Sequence, residues 1–221
     1  MRYRHSPLVT AVTARNVNSA KSMMRSVRAF LRFAFATGRT KVALWGAVPT
    51  PAGWHLATLP KALDSLDIER LLMVAGNGLF HPLCRRNYAV LLLLVRLGLR
   101  RGEVASLVLD DLDWHTGEVV ITGKGDSVER LPLPLDVGEA IVGWLTDGRP
   151  QCETRALFTT QGSPVRPMTS GSVGHVVRTV CETAGIDPVG AHRLRHTLAT
   201  EMLRAGASLP EVGQVLRHRS P

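Results

Sequence analysis

The sequence predicts a mostly α-helical fold with one small antiparallel β-sheet, an α+β arrangement preceded by a short helical N-terminal region. Three observations carry that expectation. Apolar residues recur at helical spacing through most of the chain. β-prone runs are few and short, and two of them, Glu118–Thr122 and 128–133, are joined by the turn Gly123-Lys124-Gly125-Asp126. Glycine and proline punctuate the boundaries of several periodic segments, as at Gly38, Pro60, Gly98 and Gly206.

The first helix is expected over 16–37. Met23, Met24, Val27, Phe30, Leu31 and Ala34 recur on one face, and Arg25, Arg28 and Arg32 fall on another. An apolar stripe beside an arginine stripe suits a helix packed on one side and facing phosphate on the other, or equally an amphipathic helix with solvated arginines. Residues 39–63 read as a connector punctuated by Pro49, Pro51, Gly53 and Pro60, with Trp45 and Trp54 as packing anchors. A boundary near Pro60 divides the chain into 1–60, a helical region and linker, and 61–221, a larger domain. Beyond it, helices are predicted over 67–74, 81–97 (ended by Gly98), 101–108, 136–146, 170–184, 191–205 and 209–217, with a further strand at 156–159.

The 221 residues are long enough to bury a core, and 45% hydrophobic residues exclude a disordered chain. Cys84, Cys152 and Cys181 are odd in number and widely spaced, which supports neither a disulfide framework nor a CxxC metal site. The apolar run from Ala89 to Val95 is too short to span a bilayer, and no secretory leader is visible. A cytoplasmic, nucleoid-associated protein is expected. The net charge of +9 is unevenly placed: residues 1–63 carry ten Lys or Arg and no acid, so the whole excess sits there. Nucleic acid is the polyanion such a segment suits, because each phosphate neutralised releases counterion.

Four pieces of sequence carry candidate chemistry. Arg100 stands at a helix start with Glu103 three residues on, placed to orient it. Lys124 sits in a glycine-flanked turn that can approach another backbone closely. His192 and Arg195 share a helix face, and His196 follows His192 at i,i+4. His218 ends a short apolar helix. Singly, each has an ordinary reading: a surface ion pair, an exposed turn lysine, a helix histidine, a cap. The His192/His196 pair has metal-ligand spacing but no Glu after the first His and no third ligand, so no metal is assigned.

Taken in order, Arg…Lys…His-x-x-Arg-His…His resembles the tyrosine recombinase (phage integrase) family. RLGLRRGEVASLVLDDLDW resembles its first arginine box, AHRLRHTLATEML its second, and PEVGQVLRHRS the segment with its last histidine. Residues 84–221 resemble the catalytic domain almost throughout, and residues 15–60 resemble the later part of the core-binding domain. The resemblance implies site-specific DNA strand cleavage and rejoining through a 3′-phosphotyrosyl intermediate, on double-stranded DNA, by tetramers, with no cofactor, membrane or small-molecule substrate. It implies that Arg100 and Arg195 bind the non-bridging oxygens of the scissile phosphate, that His192 and His218 add hydrogen bonds, and that Lys124 protonates the leaving 5′-hydroxyl. Glu103 would hold Arg100, and His196 would support the helix. Arg25, Arg28 and Arg32 would contact DNA.

Two departures stand out. The only tyrosines are Tyr3 and Tyr88, neither at the family's position, and the sequence stops three residues after His218. A chain cut off before its nucleophile and unable to cleave alone is therefore expected. Arg217 replaces the glycine that the family often has there; the change should be tolerated and offers an extra DNA contact. A non-catalytic DNA-binding partner of a complete recombinase is the alternative reading, and a type IB topoisomerase a more distant one.

Overall fold

The computed structural model describes residues 17–48, 62–123 and 128–217. The chain divides into two compact units, Met1–Leu59 and Pro60–Pro221. In the first unit, α1 (Val17–Ala36) is followed by a 3-10 turn, Leu44–Ala47. Phe35 and Trp45 meet edge to face with centroids 5.2 Å apart. The predicted apolar stripe is only partly covered within this unit: Ala34 is buried, while Met23, Val27 and Phe30 are exposed. Trp54 lies outside the described residues.

The second unit is built around one helix. After α2 (Ser65–Gly76), α3 (Pro82–Arg96) starts at Pro82, whose missing N–H costs nothing in a first turn, and its His81 Nδ1 accepts from Leu83 N at 3.2 Å. Ala89 to Val95 are buried on every side, as an all-round apolar helix must be. Around α3 pack α2, α4 (Arg101–Ser106), α5 (Leu135–Asp147), α6 (Ser170–Ala184) and α7 (Ala191–Arg204). The last helix, α8 (Leu209–Val215), packs on α7 and starts from Ser208, which exchanges hydrogen bonds with Glu211. Trp144 is fully buried on α5, and its indole N–H donates to the Leu157 carbonyl at 2.8 Å, so its one polar atom is satisfied.

The sheet is antiparallel, in the order β1 (Leu112–Asp113), β2 (Glu118–Thr122), β3 (Val128–Pro132). In β2 the alternation puts Val119 and Ile121 into the core, opposite Leu131 and Glu129. β1 is an addition to the predicted hairpin: two residues are too few to show a period. The strand predicted at 156–159 does not form; Ala156 and Thr159 make only isolated bridges, to Val108 and Pro167. Among the described residues, no helix is long and apolar enough to cross a membrane.

Candidate active site

The site is assembled from helix ends. α3 stops at Leu97, and Gly98 turns the chain with φ +56. A side chain there would be strained and would also meet Leu216 Cδ2 at 2.7 Å and Leu198 Cδ2 at 3.0 Å. The backbone of Gly98 thus lies directly against the residues around α8 and α7. Its carbonyl accepts from Arg195 Nη1 at 2.5 Å.

Two residues on, Arg100 caps α4. Glu103 reaches back to the Arg100 N–H at 2.8 Å and takes its Nη1 at 2.5 Å, so one carboxylate both closes the helix start and orients the guanidinium. The second Arg100 nitrogen, Nη2, donates to the carbonyl of Arg217 at 3.1 Å. Arg217 in turn donates from Nη2 to Glu103 Oε2 at 2.9 Å. Arg217 is the one non-glycine residue with positive φ (+53) among the described residues, a conformation that costs an L-residue about 1–2 kcal/mol.

Arg100, Glu103 and Arg217 border a hollow of about 670 Å³. One wall is α4 with its cap, through Arg100, Arg101, Glu103 and Ser106. Another is the end of the β-hairpin, with Ile121, Thr122, Gly123 and Glu129. Ser170 at the start of α6 and Arg217 complete it. Arg100 has about half of its side chain exposed, whereas Glu103 and Arg217 are buried. Arg195 lies deeper, at 3% exposure, with Nη2 unpaired among the described residues.

The electrostatics follow from this crowding. Burial alone would raise the Glu103 carboxyl, but the backbone and guanidinium hydrogen bonds from Arg100 and the charge of Arg217 outweigh it and hold the group below its ordinary value. Burial, then the charges of Arg100 and Arg217, bring Arg195 down to about 10 against the pull of Glu103 and Glu129. Arg195 therefore stays cationic at neutral pH. His192 is exposed on the first turn of α7, its ring edge-on to that of His196 with centroids 4.8 Å apart. Partial desolvation, His196, Arg195 and Arg100 lower its pKa, which favours a neutral imidazole.

Arg100 and Arg195 thus lie within electrostatic reach of His192, and Arg100 and Glu103 within reach of Arg195. Lys124 and His218 lie outside the described residues; Thr122, Gly123 and Arg217, beside them in sequence, border the hollow. His196 supports His192 by ring contact. In the first unit, Arg25 and Arg32 are exposed on α1, while Arg28 is half-buried and donates to the Val48 carbonyl at 2.8 Å. Tyr88 is remote in role: it borders a different hollow, with Leu79, Arg85 and Asp136. Sequence reasoning missed Arg101, Glu129 and Ser170, and treated Arg217 as a tolerated substitution. A bulky cation at a glycine position beside the last histidine was the available sign.

The arrangement offers converging guanidiniums around a carboxylate that fixes them, with an open side large enough for a phosphate group. That is the donor geometry for a tetrahedral or pentacoordinate oxyanion.

Comparison with known proteins agrees with the fold and the motifs. Residues 61–221 match the family model described as the phage integrase family. The chain is 42% identical over 211 residues to a Sinorhizobium fredii protein named as an integrase/recombinase, y4rA, covering 94% of this chain and 51% of that protein. It is 34% identical over 212 residues to the tyrosine recombinase XerD of Mycobacterium tuberculosis, covering 92% of this chain and 67% of XerD. The chain spans about half the length of y4rA and of a second S. fredii relative, y4rF. Among solved structures, the XerA recombinase superposes with a TM-score of 0.64 at 24% identity, over 94% of this chain and 70% of XerA. A lambda integrase dimer bound to a core site gives 0.68 at 18% identity, over 92% of this chain and 73% of that one. With the boxes in order, the helices and sheet in place, and the family model matched across the second unit, the chain belongs to the phage integrase family of tyrosine recombinases.

Proposed function

We propose that this chain carries the phosphate-binding site of a site-specific DNA recombinase acting on double-stranded DNA. The observation that supports it best is the meeting of Arg217 with Arg100 and Glu103, distant from it in sequence, at one hollow, with Arg195 buried close enough to feel the charges of all three. In this reading Arg100 and Arg195 bind the non-bridging oxygens of the scissile phosphate and offset the charge that grows as the phosphorus becomes pentacoordinate. Arg195 must turn part of its fork from the Gly98 carbonyl toward the hollow; its unpaired Nη2 is the donor with least to lose. His192, neutral at pH 7, and His218 add hydrogen bonds. Lys124, next in sequence to Gly123, gives a proton to the leaving 5′-hydroxyl. Arg25 and Arg32 hold flanking phosphates, with Arg28, which donates to the Val48 carbonyl, beside them on α1. Assembly into tetramers on DNA belongs to the same proposal, as does action inside the cell at the nucleoid.

The attacking group in this chemistry is a tyrosine hydroxyl; among the described residues, Tyr88 borders another hollow. A second reading, a DNA-binding partner that does not cut, rests on the basic, acid-free residues 1–63. One experiment separates the two claims. Duplex binding by fluorescence anisotropy should fall at least about tenfold in Arg100→Ala, the loss expected for a charge-assisted phosphate contact. A suicide substrate should yield no covalent adduct with these 221 residues. Unchanged binding in Arg100→Ala would sink the phosphate-site reading, and an adduct would sink the claim that these residues cannot cut.

A further inference from the structure

Arg217 has no part in the phosphate-binding set above, yet it is the most deeply buried cation bordering the hollow, with only Nη2 of its guanidinium hydrogen-bonded among the described residues. Its backbone occupies the left-handed region that favours glycine, and its side chain is 4% exposed. It touches Arg100 in two ways. Its carbonyl accepts from Arg100 Nη2, and its guanidinium takes Glu103 Oε2, leaving Oε1 to Arg100 Nη1. On its far side, Glu129 Oε2 stands 4.0 Å from Nε.

We propose that Arg217 is a positioning residue of the phosphate site, fixing the Arg100 guanidinium and offsetting Glu103 so that an oxyanion meets net positive charge. The inference rests on the phosphate-site reading and adds to it a residue outside the Arg/Lys/His set. A lone Arg100–Glu103 pair is formally neutral. Its carboxylate would be free to take both ends of the arginine fork, the same donors that a phosphate needs. A second guanidinium on Glu103 changes both things: one carboxylate oxygen is engaged elsewhere, and the three groups together carry +1. The backbone contribution does not need the arginine side chain, because glycine keeps the left-handed turn and the carbonyl. Arg217→Gly therefore removes the guanidinium and leaves the rest.

The test is a titration of the 221-residue chain with sodium tungstate, a phosphate-class oxyanion, followed by the arginine Nε–Hε signals in ¹H–¹⁵N NMR and by thermal shift. Tungstate should bind the unaltered chain. Arg217→Gly should weaken it at least about tenfold, the worth of one charge-assisted contact, and move the Arg100 signal. The loss should be clearly smaller when Glu103→Gln is already present, since the residue acts through that carboxylate. A lower Tm with tungstate Kd within about twofold of the unaltered chain would mark a purely structural ion pair and overturn the proposal. If the glycine variant does not fold, Arg217→Lys decides: charge kept and fork lost should still weaken tungstate, and an unchanged Kd overturns it. Arg100→Ala separates the two levels. Loss of binding there without loss in Arg217→Gly defeats this proposal alone; binding unchanged in Arg100→Ala defeats the phosphate site and this proposal with it.

Discussion

Asp110 and Arg155 pair at the surface, with side chains 65% and 62% exposed; Glu103 and Arg217 pair in the interior, at 7% and 4%. The chemistry is the same carboxylate and guanidinium. At the surface, water screens both charges and would solvate either one alone, so the pair adds little. In the interior, neither charge has much water to fall back on, and each leans on the other, Glu103 with Arg100 as a further partner. The contrast explains why one pair can be lost without consequence while the other governs the shape and charge of the hollow.

Breaking the interior pair should have the largest effect. Glu103→Ala leaves Arg217 buried and unpaired and is expected to cost about 3–5 kcal/mol, measured by urea unfolding. A loss under about 1 kcal/mol would place the pair with the surface ones. Next comes Arg195→Met. A desolvated cation opposes folding at neutral pH, because its lowered pKa means that the folded state disfavours the charged form. Stability should hold or rise while duplex affinity falls, a split that sets electrostatic cost against function. A smaller effect separates the pairs by acid. The Glu103 carboxyl sits below its ordinary 4.5, so its contribution is present above that pH and lost as pH falls through the lowered value. Glu103→Gln should flatten that part of the stability–pH curve, and an unchanged slope would count against the ion pair. Smallest of all, Asp110→Asn should leave Tm unmoved within error; a clear drop would remove the distinction between the two regions.

Much of this was readable in the residues. The run Ala89 to Val95 has no polar face, and α3 is the helix the core closes around. The β-hairpin followed from β-prone runs around glycines. The arginine boxes gave Arg100, Glu103, Arg195 and His192 by order and spacing. What stayed hidden depends on burial by distant parts of the chain. Arg217 looks like any exposed arginine after a short helix until α8 brings it against Glu103. Phe30 and Val27 fit a packing stripe on α1, yet the described part of their own unit leaves them uncovered. Residues 156–159 have strand character, but their neighbours Val108 and Pro167 offer single bridges rather than an edge to extend.

Gly98 links three segments that are far apart in sequence. Its carbonyl anchors Arg195, its absent side chain admits Leu216 and Leu198, and its turn delivers Arg100. The two arginine boxes are consequently not interchangeable modules. A chimaera that takes 96–114 from one homologue and 191–217 from another inherits a working pocket only if the glycine and both leucines travel as a matched set.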